Sequence, residues 1–166
     1  MATSGESLRN GGATNLGTAR ITAAIARMFI ERGEACLREF TVKSGRRVDV
    51  IAITKGGEIT VVEVKSSHQD FLSDSKWQDY LEWADRFYFA VADDFPRDIL
   101  PDADQCGIII TDGFDCLEWR EAPISRLAAQ RRGHLMRRIA HVAMRRLEFT
   151  GTGETPVPGE DDAIPE

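Results

Sequence analysis

The stretch from Thr60 to Ser67 reads TVVEVKSS. Strand alternation puts Val61, Glu63 and Lys65 on one face and Thr60, Val62 and Val64 on the other. Both faces are apolar as far as Glu63, which predicts an interior strand. Upstream, RRVDVIAI from Arg46 to Ile53 predicts a second strand, with Asp49 on the face of Ile51 and Ile53 and with Val48, Val50 and Ala52 opposite. Thr54-Lys55-Gly56-Gly57-Glu58 between them is a hairpin signal. A two-residue Gly56-Gly57 turn would pair Val50 with Glu63 and send Asp49 to the other face. A three-residue loop, Lys55 to Gly57, pairs Asp49 with Glu63, Ile51 with Val61 and Ile53 with Ile59, with Gly57 left-handed in a bulge-type turn. The second register collects the apolar residues of each face and is the one expected.

From Leu16 to Arg32, Ile21, Ile25, Met28 and Phe29 recur at helical spacing, and Gly33 is a helix stop. Leu37 to Lys43 predicts a first strand, and Ser44-Gly45-Arg46-Arg47 the turn into the second. After Ser67, HQDFLSDSKWQDYLEWADRF predicts one helix to Ala84, packed through Phe71, Trp77, Tyr80, Leu81 and Ala84. Arg86 to Ala92 is a strand, and a helix leading into it predicts a right-handed crossover and a parallel neighbour. Asp93 to Gln105, with Pro96 and Pro101, is a loop with a helical turn. Gly107 to Thr111 is a strand, Asp112-Gly113 a turn, and Asp115 to Arg120 an antiparallel return. Ile124 to Glu148 predicts a long helix with Leu127, Leu135, Ile139 and Val142 buried and a possible kink at Gly133. The elements add up to one α/β domain over residues 16–149: a mixed sheet flanked by helices, αβββαβ, then a strand pair and a long helix. Residues 1–15, rich in Gly, Ser, Thr and Asn, and the acidic, proline-containing residues 150–166 are expected to be disordered.

Composition narrows the class. A chain of 166 residues with 42% hydrophobic content suits one globular domain. No apolar run approaches the roughly 18–20 residues of a membrane span, and no signal-peptide pattern opens the chain. Cys36, Cys106 and Cys116 lack zinc-type spacing and are expected to be reduced thiols of a cytoplasmic protein. The net charge of −6 argues against bulk attraction to nucleic acid. Five of the acids lie between Glu154 and the C-terminus, however, and the rest of the chain carries about −1. Such a domain can still bind DNA through a local basic surface.

Candidate chemistry gathers on the hairpin. Two carboxylates about 4 Å apart repel by about 4 kcal/mol at an effective dielectric near 20. Lys65 offsets part of that; a hard divalent cation offsets more, and Mg²⁺ commonly takes one or two carboxylates plus phosphate oxygens. An ammonium beside such an ion stabilises charge developing on a phosphate or helps activate a water. The chemistry suggested is metal-assisted phosphodiester hydrolysis; a plain Glu63–Lys65 ion pair is the other reading. Glu39, on the first strand, is a further candidate ligand, with Glu31 and Glu34 behind it. Arg46 and Arg47 either reach phosphates near Asp49 or form a solvated, charge-paired turn. Seven arginines of the last helix make either a solvated face or a phosphate-contacting one. His68 has no second metal-type partner at a ligand spacing.

Asp49, then thirteen residues, then Glu63-Val64-Lys65, resembles the PD-(D/E)XK nuclease core. More closely, EFTVKSGRRVDVIAI, EVKSS, the DxKWxxY of Asp74, Lys76, Trp77 and Tyr80, and DRFYFAV from Asp85 resemble the MmcB-related family of bacterial DNA-repair proteins, from about Leu16 to Leu147. Val48 stands where the motif's name has proline. The Gln-xxx-Tyr element of some relatives is absent, Gln78 lying two residues from Tyr80. The resemblance implies a restriction-endonuclease-like fold and a Mg²⁺- or Mn²⁺-dependent DNA endonuclease acting on repair intermediates. Other repair proteins, or a second copy of the chain as a homodimer, are further candidate partners. It implies Asp49, Glu63 and the Val64 carbonyl as metal ligands, Lys65 as stabiliser of the attacking water or transition state, and Lys76 with Arg46 and Arg47 as DNA contacts. The rival reading is a non-catalytic DNA- or partner-binding repair factor that keeps the nuclease fold. A third is a structural domain whose acids merely pair with Lys65 and Arg47.

Overall fold

The computed structural model describes residues 17–152; the expectations for residues 1–16 and 153–166 lie outside the described residues. Six strands form one sheet in chain order: β1 (Ala35–Thr41), β2 (Arg47–Ile53), β3 (Ile59–Lys65), β4 (Arg86–Ala92), β5 (Gly107–Thr111) and β6 (Cys116–Arg120). β1 to β3 are an antiparallel meander, β3, β4 and β5 run parallel, and β6 returns antiparallel. The mixed sheet and the αβββαβ order expected from the sequence are both present.

Each face is covered because its apolar residues alternate along the strands. Helix α1 (Thr18–Glu31) lays Ile21, Ile25, Met28 and Phe29 over Val50, Val62, Val64 and Tyr88. It ends as Gly33 predicts. With Gly33 at φ 78°, the Gly33 N–H donates to Ile30 O and the Glu34 N–H to Phe29 O, satisfying the last carbonyls. Helix α2 (His68–Ser73), a 3₁₀ segment (Trp77–Trp83) and helix α3 (Ala129–Thr152) cover the other face. There Trp77, Tyr80, Leu135 and Val142 meet Ile51, Ile59, Val61, Phe87 and Phe89.

The β2–β3 hairpin takes the three-residue register. Ile51 pairs with Val61 and Ile53 with Ile59, and Gly57 sits at φ 81°. The single helix expected from His68 to Ala84 is broken instead. Asp74 leaves helical geometry at φ −92°, ψ 83°, and its carboxylate accepts the Lys76 N–H at 3.2 Å. A short polar side chain that binds nearby backbone competes with the helix ladder. Beyond the break Trp77, Tyr80 and Trp83 recur every third residue, the spacing that 3₁₀ geometry stacks on one side.

The last helix begins at Ala129, not Ile124, and runs through Gly133 to Thr152. Residues 124–128 are outside the helix and tied to Asp85: its carbonyl accepts the Ser125 N–H and its carboxylate the Leu127 N–H, each within 2.9 Å. Asp85 is 1% exposed and also accepts the Ile59 N–H and two bonds from Arg132, at 2.7 and 2.6 Å. Burial pushes its carboxyl up, but the Arg132 guanidinium and the two backbone N–H groups hold it down at about 2.

Candidate active site

The ladder between β2 and β3 runs from Ile53/Ile59 to Val50/Val62. The same register sets Asp49 against Glu63, and there a side chain takes over from the backbone: Asp49 Oδ2 accepts the Val64 N–H at 2.8 Å. On its other side, register would set Asp49 against Glu39 of β1. That pair is skipped, and Glu39 takes φ 50°, a left-handed conformation uncommon for a residue with a side chain. Arg146 of α3 grips this point, donating to the carbonyls of Arg38 and Glu39 at 2.5 and 2.8 Å. A cleft of about 400 Å³ opens beside it, lined by Thr18, Ala19 and Thr22 of α1 and by Arg38, Glu39 and Asp49.

Glu63 and Lys65 are 8% and 4% exposed. The Lys65 ammonium lies 3.4 Å from Glu63 Oε1 and 2.7 Å from Asp74 Oδ2. Glu63 Oε2 is buried and has no hydrogen-bond partner among the described residues. Burial, reinforced by the neighbouring Asp49 charge, pushes the Glu63 carboxyl up to about 8. Burial raises Asp49 too, against the pull of the Val64 N–H and Lys65. Burial alone would lower Lys65, but the Asp74 hydrogen bond and the Glu63 charge outweigh it and keep the ammonium charged.

This donor set suits a hard divalent cation. A buried carboxyl with one orphaned oxygen, its ionisation disfavoured by burial and by a second carboxyl, is relieved of both penalties when such an ion binds. Among the described residues no three His, Cys, Asp or Glu side chains form a closed metal cage. Asp49 and Glu63 therefore offer an open, two-carboxylate arrangement.

The remaining candidates scatter. Glu39 lines the same cleft, but its side chain is 66% exposed and its contact with Arg47 is a loose 3.8 Å. Arg47 and Lys76 are both exposed, and neither lines the cleft. Arg46 is half-buried and paired on the surface, 2.8 Å from the exposed Asp79 and over the Tyr80 ring. Glu34 lies at the turn end of the hairpin, in a separate polar cleft with Arg32, Glu58, Arg86 and Glu118. The arginines of the last segment are largely spent within the fold. Arg126 pairs with Glu58, Arg131 with Glu82 and Arg132 with Asp85, and Arg138 donates to Thr41 O. Asp74 is the site residue that the periodicity hid. As part of a continuous helix it is a surface acid; with the helix broken after Ser73, the chain folds back and sets it on Lys65. Tyr80 stands nearby as well: burial, then the charges of Glu63 and Asp74, raise its hydroxyl, which donates to Arg47 O at 3.3 Å.

A family profile described as DNA repair protein MmcB-like matches residues 7–152. A protein of unknown function from Silicibacter pomeroyi is 39% identical, over 87% of this chain and 98% of that one, with a TM-score of 0.79. A repair endonuclease from Pyrococcus abyssi is 19% identical over 55% of this chain and 39% of its own, with a TM-score of 0.28. Among curated proteins, none matches the chain.

Proposed function

The chain belongs to the MmcB-like family of DNA repair proteins, and from that premise we propose that it is a metal-dependent DNA endonuclease whose site is built on Asp49, Glu63 and Lys65. What supports the reading is Glu63: a buried carboxyl with an orphaned oxygen, set by register against Asp49 and 3.4 Å from a buried ammonium. The Lys65 contact leaves that cost partly uncompensated: among the described residues Glu63 Oε2 is unpaired, and Asp49 is anchored by one backbone N–H.

Asp49, Glu63 and the Val64 carbonyl would hold Mg²⁺ or Mn²⁺, and Glu39, which lines the cleft with Asp49, would be a further ligand. When bound, the ion supplies Lewis-acid polarisation of the scissile phosphate and a more acidic water. The chain's own contribution is orientation and charge. The Val64 N–H fixes the Asp49 carboxylate, burial keeps bulk water from Glu63, and the Lys65 ammonium lies where negative charge on a phosphate oxygen would be stabilised. Arg47 and Lys76, both exposed, would take flanking phosphates of the DNA backbone.

The test is cleavage of single-stranded, duplex, flapped and branched DNA with Mg²⁺ and with Mn²⁺, by the wild type, Glu63→Gln and Lys65→Ala. Cleavage by the wild type alone is expected. A wild type that cuts none of these with either ion would sink the proposal. A non-catalytic, partner-binding role is favoured by one observation, the internal commitment of Arg46, Arg126, Arg131, Arg132 and Arg138. It requires that Lys65→Ala restore a repair-deficient strain as fully as the wild type.

A further inference from the structure

Asp74 is 2.7 Å from the Lys65 ammonium, nearer than Glu63, yet it lies on a different element and outside the carboxylate pair of β2 and β3. Its position is over-determined. Asp74 Oδ1 accepts the Lys76 N–H at 3.2 Å, and the Asp74 N–H donates to Phe71 O at 3.2 Å. α2, which precedes it, is tied to the end of β3 by Asp70, whose carboxylate accepts the Ser66 N–H at 2.9 Å and the Ser66 hydroxyl at 3.2 Å. The Asp70 N–H in turn donates to Ser67 Oγ at 3.1 Å. Aromatic anchors stand on both sides: Phe71 meets Phe89 edge-on at 5.4 Å, and Trp77 stacks on Phe87 at 5.7 Å. α2 buries no residue completely, so these caps and anchors hold the carboxylate in place.

A buried ammonium turns to the best carboxylate available. Without Asp74 the nearest carboxylate is Glu63, 3.4 Å away, so the ammonium would settle on an oxygen donor that a metal needs. We propose that Asp74 is the positioning residue of Lys65, holding its ammonium beside the Asp49–Glu63 pair without letting it occupy that pair. This deepens the proposed function and rests on it, because the benefit is to a metal-dependent reaction. Asp74 makes no hydrogen bond to either carboxylate, though its charge also pushes the Glu63 carboxyl up, so its action through Lys65 has to be separated by removing Lys65.

The first arm of the test needs no activity. In metal-free protein the Lys65 ammonium should give a protected, slowly exchanging ¹⁵N–¹H signal in the wild type. It should survive in Glu63→Gln and vanish or shift strongly in Asp74→Asn. The second arm is a double-mutant cycle. Asp74→Asn should weaken Mn²⁺ binding, read by water-proton relaxation, about three- to tenfold, whereas in a Lys65→Met background it should change affinity less than twofold. For DNA cleavage, Asp74→Asn should lower kcat about tenfold or more with KM changed less than threefold, and Asp74→Glu should recover part of the loss. Should Asp74→Asn not fold, Asp74→Glu serves the first arm, since one extra methylene must displace the ammonium signal. Survival of the unshifted Lys65 signal in the position-74 variants, or an equal effect of Asp74→Asn with and without Lys65, overturns the proposal. A wild type that shows the signal and its loss in Asp74→Asn but neither binds Mn²⁺ nor cuts DNA upholds Asp74 and removes the nuclease reading instead.

Discussion

Glu63→Gln should change the pH dependence of stability in a direction set by burial. The carboxyl titrates at about 8 in the folded protein against 4.5 when free. Between those values the native state holds a proton that the unfolded chain has lost. The stability tied to this group is thus fully present below about pH 4.5 and is lost as pH rises through about 8. Each pH unit in that window costs up to about 1.4 kcal/mol, so roughly 3 kcal/mol should disappear between about pH 5.5 and pH 8. Glutamine keeps the side chain's size and cannot ionise, so this component should be absent. Urea denaturation in EDTA at constant ionic strength, across about pH 5.5 to 8.5, gives both curves. The wild type should weaken relative to Glu63→Gln by about that amount. If Glu63 binds an ion as proposed, Mg²⁺ or Mn²⁺ at about 100 times its dissociation constant should return about 2.7 kcal/mol to the wild type at high pH and little to the variant. Curves that stay parallel over the whole window would refute the reasoning, because they would mean that Glu63 is ionised, solvated or differently paired.

Lys65→Ala should lower the cleavage rate on the order of 10²–10³-fold while Mn²⁺ still binds, as measured by single-turnover kinetics and relaxation titration. Arg47→Ala and Lys76→Ala should each weaken DNA binding about equally across sequences and reduce the slope of log affinity against log salt by about 1, measured by fluorescence anisotropy. Asp85→Asn should cost about 3–5 kcal/mol in urea denaturation, since it strands the Arg132 guanidinium beside a buried amide. Asp85's carboxyl is depressed to about 2, so its stabilisation is present above about pH 4 and is lost as pH falls towards 2, whereas Asp85→Asn should be flat there.

The strands were legible because the central ones are buried on both faces, which writes a short apolar run into the sequence rather than a period of two. β4 and β5 lie where their apolar runs put them. The hairpin register followed as well, since only the three-residue loop brings Ile51 against Val61 and Ile53 against Ile59. That register carries half of the site, because it is what sets Asp49 against Glu63. The DxKWxxY block was visible as a pattern but not as a location. Whether Ser73-Asp74-Ser75 continues a helix or breaks it turns on a small local difference: Asp74 takes the Lys76 N–H, and Phe71 and Trp77 pack on Phe89 and Phe87 on either side of the break. The break in turn decides that Asp74 meets Lys65.

The left-handed Glu39 and the cleft beside it were likewise invisible from sequence. Arg146, more than a hundred residues along the chain, caps two strand carbonyls at that point, a contact that no local pattern announces. The arginines of the last helix read as a charged surface because composition records charge but not partner. The tertiary structure turns several of them onto backbone carbonyls and buried acids. By itself the sequence determined which residues are apolar together and which charges stand among them, since periodicity is local. Only the tertiary structure decided which of those charges face one another, because a buried ion takes its partner from whatever the packing brings within about 3 Å, at any distance along the chain.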